Sequence, residues 1–423
     1  MRRFLAATLI PLALPVSPAA AATFTVNSTA DVNDLTPGNG LCVAYLVVFP
    51  PYVLPFCTLR GAIEEANGLP GPDRIIIPPG VYTLDIPGRE DLGASGDLDI
   101  TDSLILIGAG ADETIIDAGG LDRGLDLFGP DTQVTVSGLT IQNGSLPPGL
   151  PINEAGGGGL RNGAGLILDG VRLQGNRVNG TSPADAGGGL FNSAACVLQN
   201  STIDQNRAAR GGGIANQAGS TLKIQASTLH DNQAGSGAGL FNEGGAVIVN
   251  STFSGNRARE GALSSGGGLL NVGDLDLIQS TIASNQAGEA GGGISNEGGL
   301  SLVNTLLAGN IGGDCNLPQA MTSKGHNLDS DATCGLSAAT DLSGMDPKID
   351  ILAPHGGATK THGLLLGSPA VDQGRDLHAE GVSTDQRGVA RPQGRAFDIG
   401  AFETGPRSLV PLLAPLLLRQ TRQ

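Results

Sequence analysis

The groups able to do chemistry are few: 40 Asp+Glu, 24 Lys+Arg, five histidines and five cysteines in 423 residues. Two clusters carry oxygen ligands at hard-cation spacing, Asp97-x-Asp99-x-x-Asp102 and Asn327-x-Asp329-x-Asp331. A calcium loop also needs a turn glycine and a closing glutamate. The second cluster has Ala332 and Ala338 in those places, and the first is too short, so neither completes the loop. Glycosidic hydrolysis asks for two carboxylates roughly 5–10 Å apart on one face. Asp204 and His230 occupy corresponding positions of two successive repeat units, but Ser254 and Ala283 follow them, so no acid pair recurs. These turn positions are expected to be exposed, and a lone surface pair is expected to be structural. No Ser/His/Asp constellation can be placed, and the glycine clusters precede strand residues rather than a helix, which excludes a phosphate loop.

The cysteines divide by position. Cys42 and Cys57 bracket one insert, Cys315 and Cys334 another, and two local disulfides are expected. Metal binding is the poorer alternative, because no C-x-x-C or Cys/His cluster is present. Cys196 stands apart and is expected to be a small buried hydrophobe.

Such side chains need a scaffold, and a repeat supplies it. Glycine clusters followed by an aliphatic residue and an asparagine recur at Asn162, Asn192, Asn216, Asn242, Asn271 and Asn296. A second element resembling Asn-Ser-Thr-Ile-x-x-Asn ends at Asn176, Asn206, Asn232, Asn256, Asn285 and Asn310, about 28 residues per unit. Aligned on it, three aliphatic columns emerge, exemplified by Leu166, Leu168 and Leu173 in one unit and Leu222, Ile224 and Leu229 two units on. The first two columns are two residues apart, the period of one strand face, and the third lies beyond a bend. Three short strands per unit, stacked in parallel, give an all-β parallel β-helix over residues 74–310. Glycine serves its turns. The six closing asparagines are expected to form a turn ladder, tolerating the left-handed region and bonding up and down the stack.

Solenoid ends must be covered. Residues 58–67 place Leu59, Ala62, Ile63 and Ala66 on one helical stripe, with Glu64 and Glu65 expected to face away. This helix anchors an N-terminal cap over residues 23–73, and residues 311–405 form an irregular C-terminal cap. Residues 1–22 read as a signal peptide, with Arg2-Arg3, an apolar stretch and small residues ending at Ala22. The tail, 406–423, holds about ten apolar residues interrupted by Pro411 and Pro415, too few for a span; an anchoring or sorting segment and a frayed end both remain open. With a net charge of -16 and no basic stripe evident, nucleic acid is excluded as a partner.

Two stretches resemble known domains. Phe24-Thr25-Val26-Asn27, Gly38-Asn39-Gly40-Leu41-Cys42 and Cys57-Thr58-Leu59-Arg60-Gly61-Ala62-Ile63-Glu64-Glu65-Ala66-Asn67 resemble the CSLREA domain of bacterial exported proteins, with Thr58 for serine and Gly61 for glutamate. Gly367-Ser368-Pro369-Ala370-Val371-Asp372, Thr384-Asp385-Gln386-Arg387-Gly388, Arg391-Pro392 and Asp398-Ile399-Gly400-Ala401-Phe402-Glu403 resemble the choice-of-anchor Q domain. The repeats are similar to those of right-handed parallel β-helix surface proteins, including the polymorphic outer membrane proteins, which implies a right-handed solenoid here. The resemblance implies an exported protein, on the cell surface or secreted, without an established reaction. Gly325-His326-Asn327 and Thr361-His362-Gly363 resemble the histidine loop of pectin hydrolases only superficially. No Trp and three Tyr leave little for stacking sugar rings. The expectation is a monomeric structural or adhesive protein facing the cell envelope or an extracellular ligand, with polysaccharide among the candidates. No catalytic residue and no cofactor are assigned, a loop-stabilising calcium ion being kept open. A polyuronate lyase or glycoside hydrolase on a pectin-lyase-like β-helix is the alternative.

Overall fold

The computed structural model describes residues 21–49, 52–151, 154–259 and 264–405. The expected leader lies almost wholly, and the expected tail wholly, outside them. No helix among the described residues is long and apolar enough to cross a membrane.

Each coil is built from alternation. In Gly165–Asp169 and Thr221–Gln225 every second side chain is buried, and the rest face out. Parallel pairing sets Leu166 on Cys196 on Leu222, and Leu168 on Leu198 on Ile224. The third column, Leu173, Ile203, Leu229 and Phe253, stacks in the next sheet. Two parallel sheets have eleven strands and a third has nine. The first runs from Thr23–Thr25 to Thr322–Ser323, the second from Gly80–Thr83 to Leu342–Ser343, the third from Leu98–Ile100 to Cys315–Asn316. Aliphatic side chains from all three fill one continuous core. A short fourth row of turn residues stacks Arg177 on Arg207, Arg207 on Gln233 and Gln233 on Arg257. Stacking thus sets Arg177 beside Arg207, with Arg257 on the far side of Gln233.

Stacking begins before residue 74, since Thr23–Thr25 pairs with Asp73–Ile77. The helix spans Leu59–Gly68, and the Thr58 hydroxyl caps it by accepting from Gly61 N. Leu59, Ala62, Ile63 and Ala66 join the core. Glu64 and Glu65 do not face away: both are buried. Glu64 accepts from Asp34 N at 2.5 Å, and Glu65 accepts from Gly38 N at 2.7 Å and from Gly40 N. The loop at residues 34–42 folds over the outer helix face, and its backbone donors draw the carboxylates in.

The closing asparagines form a buried ladder. Nδ2 of Asn176, Asn206, Asn232, Asn256 and Asn285 each donates to Oδ1 of the next, at 2.9–3.1 Å. At the end, Asn310 Nδ2 donates to Asp314 Oδ1 at 2.7 Å. These asparagines are not themselves left-handed. Positive φ falls one residue earlier, at Gly175, Gln205, Asp231, Gly255, Ser284 and Gly309. A second ladder joins Asn162, Asn192, Asn216, Asn242, Asn271 and Asn296, at 2.7–2.8 Å per rung. Between them, Ser201, Ser227, Ser251 and Ser280 each accept from the backbone N–H one coil earlier.

Past Asn310 the chain adds partial strands at Cys315–Asn316, Thr322–Ser323, Leu328–Asp329 and Leu342–Ser343. Cys42–Cys57 and Cys315–Cys334 are disulfides, and Cys196 is free and buried. Residues 347–404 then turn back and lie along the outer face of the second sheet. Thr228 Oγ1 donates to Lys360 O (2.5 Å), Gln279 Nε2 to Asp398 O (2.9 Å) and Asn304 Nδ2 to Arg375 O (2.7 Å).

Candidate functional site

A dense group of ionisable side chains lies on the outer face of the third sheet. Register sets Asp99 on Asp126 and Asp126 on Arg161, while Asp97 and Arg123 flank the strands. Residues 86–96 fold over them, held by Arg60, which donates to the carbonyls of Gly93 (2.7 Å), Gly96 (2.8 Å) and Asp97 (2.9 Å). The helix therefore positions this cover as well as the first coil. Arg161 Nε donates to Asp126 Oδ1 at 2.8 Å; Arg123 Nη1 reaches Asp126 and, at 3.4 Å, Asp97.

Burial pushes the Asp97 carboxyl up to about 7 against the pull of Arg123. Asp99 is pushed up to about 8, by burial first and then by Asp97 and Asp126. Asp99 Oδ2 accepts from Gly93 N at 2.7 Å, whereas Oδ1 is buried without a partner. Carboxylate oxygens of Asp91, Asp99 and Asp126 lie within 4.8 Å of one another, a donor set of the hard type that calcium accepts. Asp102, the third member read from sequence, is not in this set and instead accepts from Ser103 N. Asp97, Asp99 and Asp126 are 2% exposed or less and lie sealed beneath residues 86–96.

The other sequence candidates are absorbed by the fold. Asn327 Oδ1 accepts from Thr305 N, Asp329 from the N–H groups of Cys334 and Gly344, and Asp331 from Thr333 N and Asp314 N. Backbone donors thus consume the oxygens a cation would need. Asp204, His230, Ser254 and Ala283 are buried rather than exposed, on the second-sheet flank that residues 347–404 follow. Asp204 and His230 are in register, but Asp204 pairs with Arg172 at 2.7 Å and His230 with Asp231 at 2.9 Å. His362 Nε2 bonds Ser254 Oγ (2.9 Å) and Nδ1 bonds Asp350 O (2.7 Å); His326 Nδ1 bonds Gln373 O (2.6 Å). Burial holds the His362 ring below its usual 6.5.

Residues of the two domain-like stretches act as clamps. Asn67 Nδ2 donates to Asp99 O at 2.7 Å, and Gln386 Nε2 donates to Thr228 Oγ1 (2.9 Å) and Thr359 Oγ1 (2.8 Å). Arg391 and Glu403 form a fully buried pair at 2.9 Å, and Arg391 also donates to Gly400 O.

A family model described as the right handed beta helix region matches residues 122–307. No curated protein matches the chain. Among solved structures it is similar to the A-module of Azotobacter vinelandii mannuronan C-5 epimerase AlgE4, at 15% identity, 64% of this chain, 78% of that chain and TM-score 0.33. The AlgE6 A-module follows at 13%, 64%, 76% and 0.25, and the catalytic domain of a GH87 alpha-1,3-glucanase at 12%, 75%, 70% and 0.20. At these scores the likenesses carry nothing about reaction. Register, sheet order and the family match make the chain an all-β protein of right-handed parallel β-helix fold.

Proposed function

We propose that the chain is an exported β-helix of structural or adhesive type, displayed on the cell surface or secreted. The observation that carries this reading is the pair of uninterrupted buried asparagine ladders, which make six coils into one stiff rod. Every rung is a satisfied polar contact in a dry interior, where such networks rigidify. The two disulfides suit an oxidising compartment. The CSLREA-like and choice-of-anchor-like stretches fit as devices that lock the rod's beginning and flank. Its partner is the cell envelope or an extracellular ligand.

Fractionation of producing cells with surface proteolysis tests the reading. Mature protein beginning after Ala22, outside the cytoplasm and cleaved on intact cells or found in the medium, is expected. Confinement to the cytoplasm ends it. Turnover of pectin or alginate by the purified protein, with or without Ca²⁺, would replace it with the lyase or hydrolase reading.

A further inference from the structure

A cleft of about 620 Å³ opens where the coils leave the second sheet, and three arginines, Arg207, Arg210 and Arg259, line it. Pockets of roughly 300–1,000 Å³ hold small ligands or short stretches of a polymer. In a chain of net charge -16, cations converging on one recess run against the overall balance. Among the described residues no carboxylate pairs with Arg207 or Arg210. Arg210 lies over the Phe241 ring at 5.1 Å, and Arg259 donates to the Gln233 side chain. All three remain exposed or half-exposed. The floor is small and aliphatic, with Val178, Ala208 and Ala234. Ser264 is an independent observation: it lines the cleft, is 1% exposed, and its hydroxyl has no hydrogen-bond partner within the protein. Buried hydroxyls are normally satisfied, so this one is a donor without its acceptor.

We propose that this cleft binds a carboxylate-bearing polysaccharide, with Arg207 and Arg210 taking uronate groups and Ser264 donating to a sugar oxygen. Guanidinium forks match carboxylates in a bidentate way. Arg207 and Arg210 lie on one coil and Arg259 two coils on, which at about 4.8 Å per coil sets the cations about 10 Å apart along the stack. The aliphatic floor accepts the C–H face of a sugar, while the lining has no aromatic ring on which bases could stack. The proposal deepens, and rests on, the extracytoplasmic adhesive reading above.

The test is calorimetric titration of the purified full chain with short oligogalacturonates, a neutral dextran and a single-stranded DNA. Binding of the oligogalacturonate alone, weakening as salt rises, is expected. The double variant Arg207→Gln/Arg210→Gln should weaken it about tenfold or more, and Ser264→Ala a few-fold, with unchanged circular dichroism. Arg177→Gln, outside the cleft, should leave it intact. Equal binding by the double variant, or DNA bound as well as the oligogalacturonate, overturns the proposal. Absent binding by protein that fractionates outside the cytoplasm also overturns it, while the adhesive reading stands. Binding by a protein confined to the cytoplasm would sink that reading and leave the site.

Discussion

Replacing Asn232 by leucine removes one rung from the middle of a ladder. Its Nδ2 donates to Ile203 O (2.8 Å) and Asn256 Oδ1 (2.9 Å), and its Oδ1 accepts from Asn206 N (3.0 Å) and Asn206 Nδ2 (3.1 Å). Leucine leaves Asn206 N and one Asn206 amide hydrogen unsatisfied in a fully buried place, whereas Ile203 O keeps its sheet bond to the next strand. Two such groups at about 1–3 kcal/mol each, less about 2 kcal/mol returned by burying apolar surface, leave a net loss of about 2 kcal/mol. Stability in a solenoid sums over neighbouring coils, so the damage should be local before it is global. Urea melts followed by far-UV circular dichroism measure the total. Hydrogen exchange should show the coils around residues 198–258 losing protection first. Asn200→Gly is the control: Asn200 is exposed at φ 51°, a backbone glycine adopts freely, and a change within about 0.5 kcal/mol is expected. A loss below about 1 kcal/mol for Asn232→Leu, with protection unchanged, would refute the claim that the ladder holds the rod together.

Three further outcomes follow from the same geometry. Burial pushes the Cys196 thiol up to about 12, so maleimide near neutral pH should label it only after denaturation; rapid native labelling would contradict its place in the inward column. Arg391→Met leaves the Glu403 carboxylate buried without its cation, at a cost of about 3–5 kcal/mol. Limited proteolysis should then release residues 347–404 while the solenoid keeps its dichroism, and an unchanged digest would count against the pairing. His362, facing Asp350, His355 and Ser254, has its folded pKa lowered below 6.5, mainly by burial. The folded protein thus binds that proton less readily than the unfolded chain, and the docking it supports is complete above pH 6.5 and lost as pH falls through the lowered value. Proteolysis of the flank should rise on acidification, and His362→Gln should flatten that response.

The inward columns were legible because one strand period repeats in every unit, so Leu168, Leu198 and Ile224 declare their shared face in the chain itself. The Leu59–Gly68 helix was legible from its apolar stripe. Glu64 and Glu65 were not, because the groups that bury them are backbone N–H donors of a loop, which leave no mark on residue type. The arginine pair was hidden for another reason: Arg177 and Arg207 become neighbours only through stacking at unequal spacings. The cation-suited set drew Asp126 and Asp91 from outside the local motif for the same reason. The flank hid Asp204 and His230 because nothing in the repeat says where a later segment will lie.

The asparagine ladders also have a sense. Every Nδ2 points toward the later coil and every Oδ1 toward the earlier one, in both rows. Amide dipoles in each row therefore align head to tail, with the positive end at the C-terminal side, and neighbouring bonds polarise one another. The Asp314 carboxylate sits at that end of one row, as an anion sits at the positive terminus of a helix. A coil inserted anywhere between Asn176 and Asn310 would meet a donor from the earlier coil and an acceptor from the later one. Beyond Asp314 the row has no amide left to donate onward, so this polar wire sets the rod's terminus chemically.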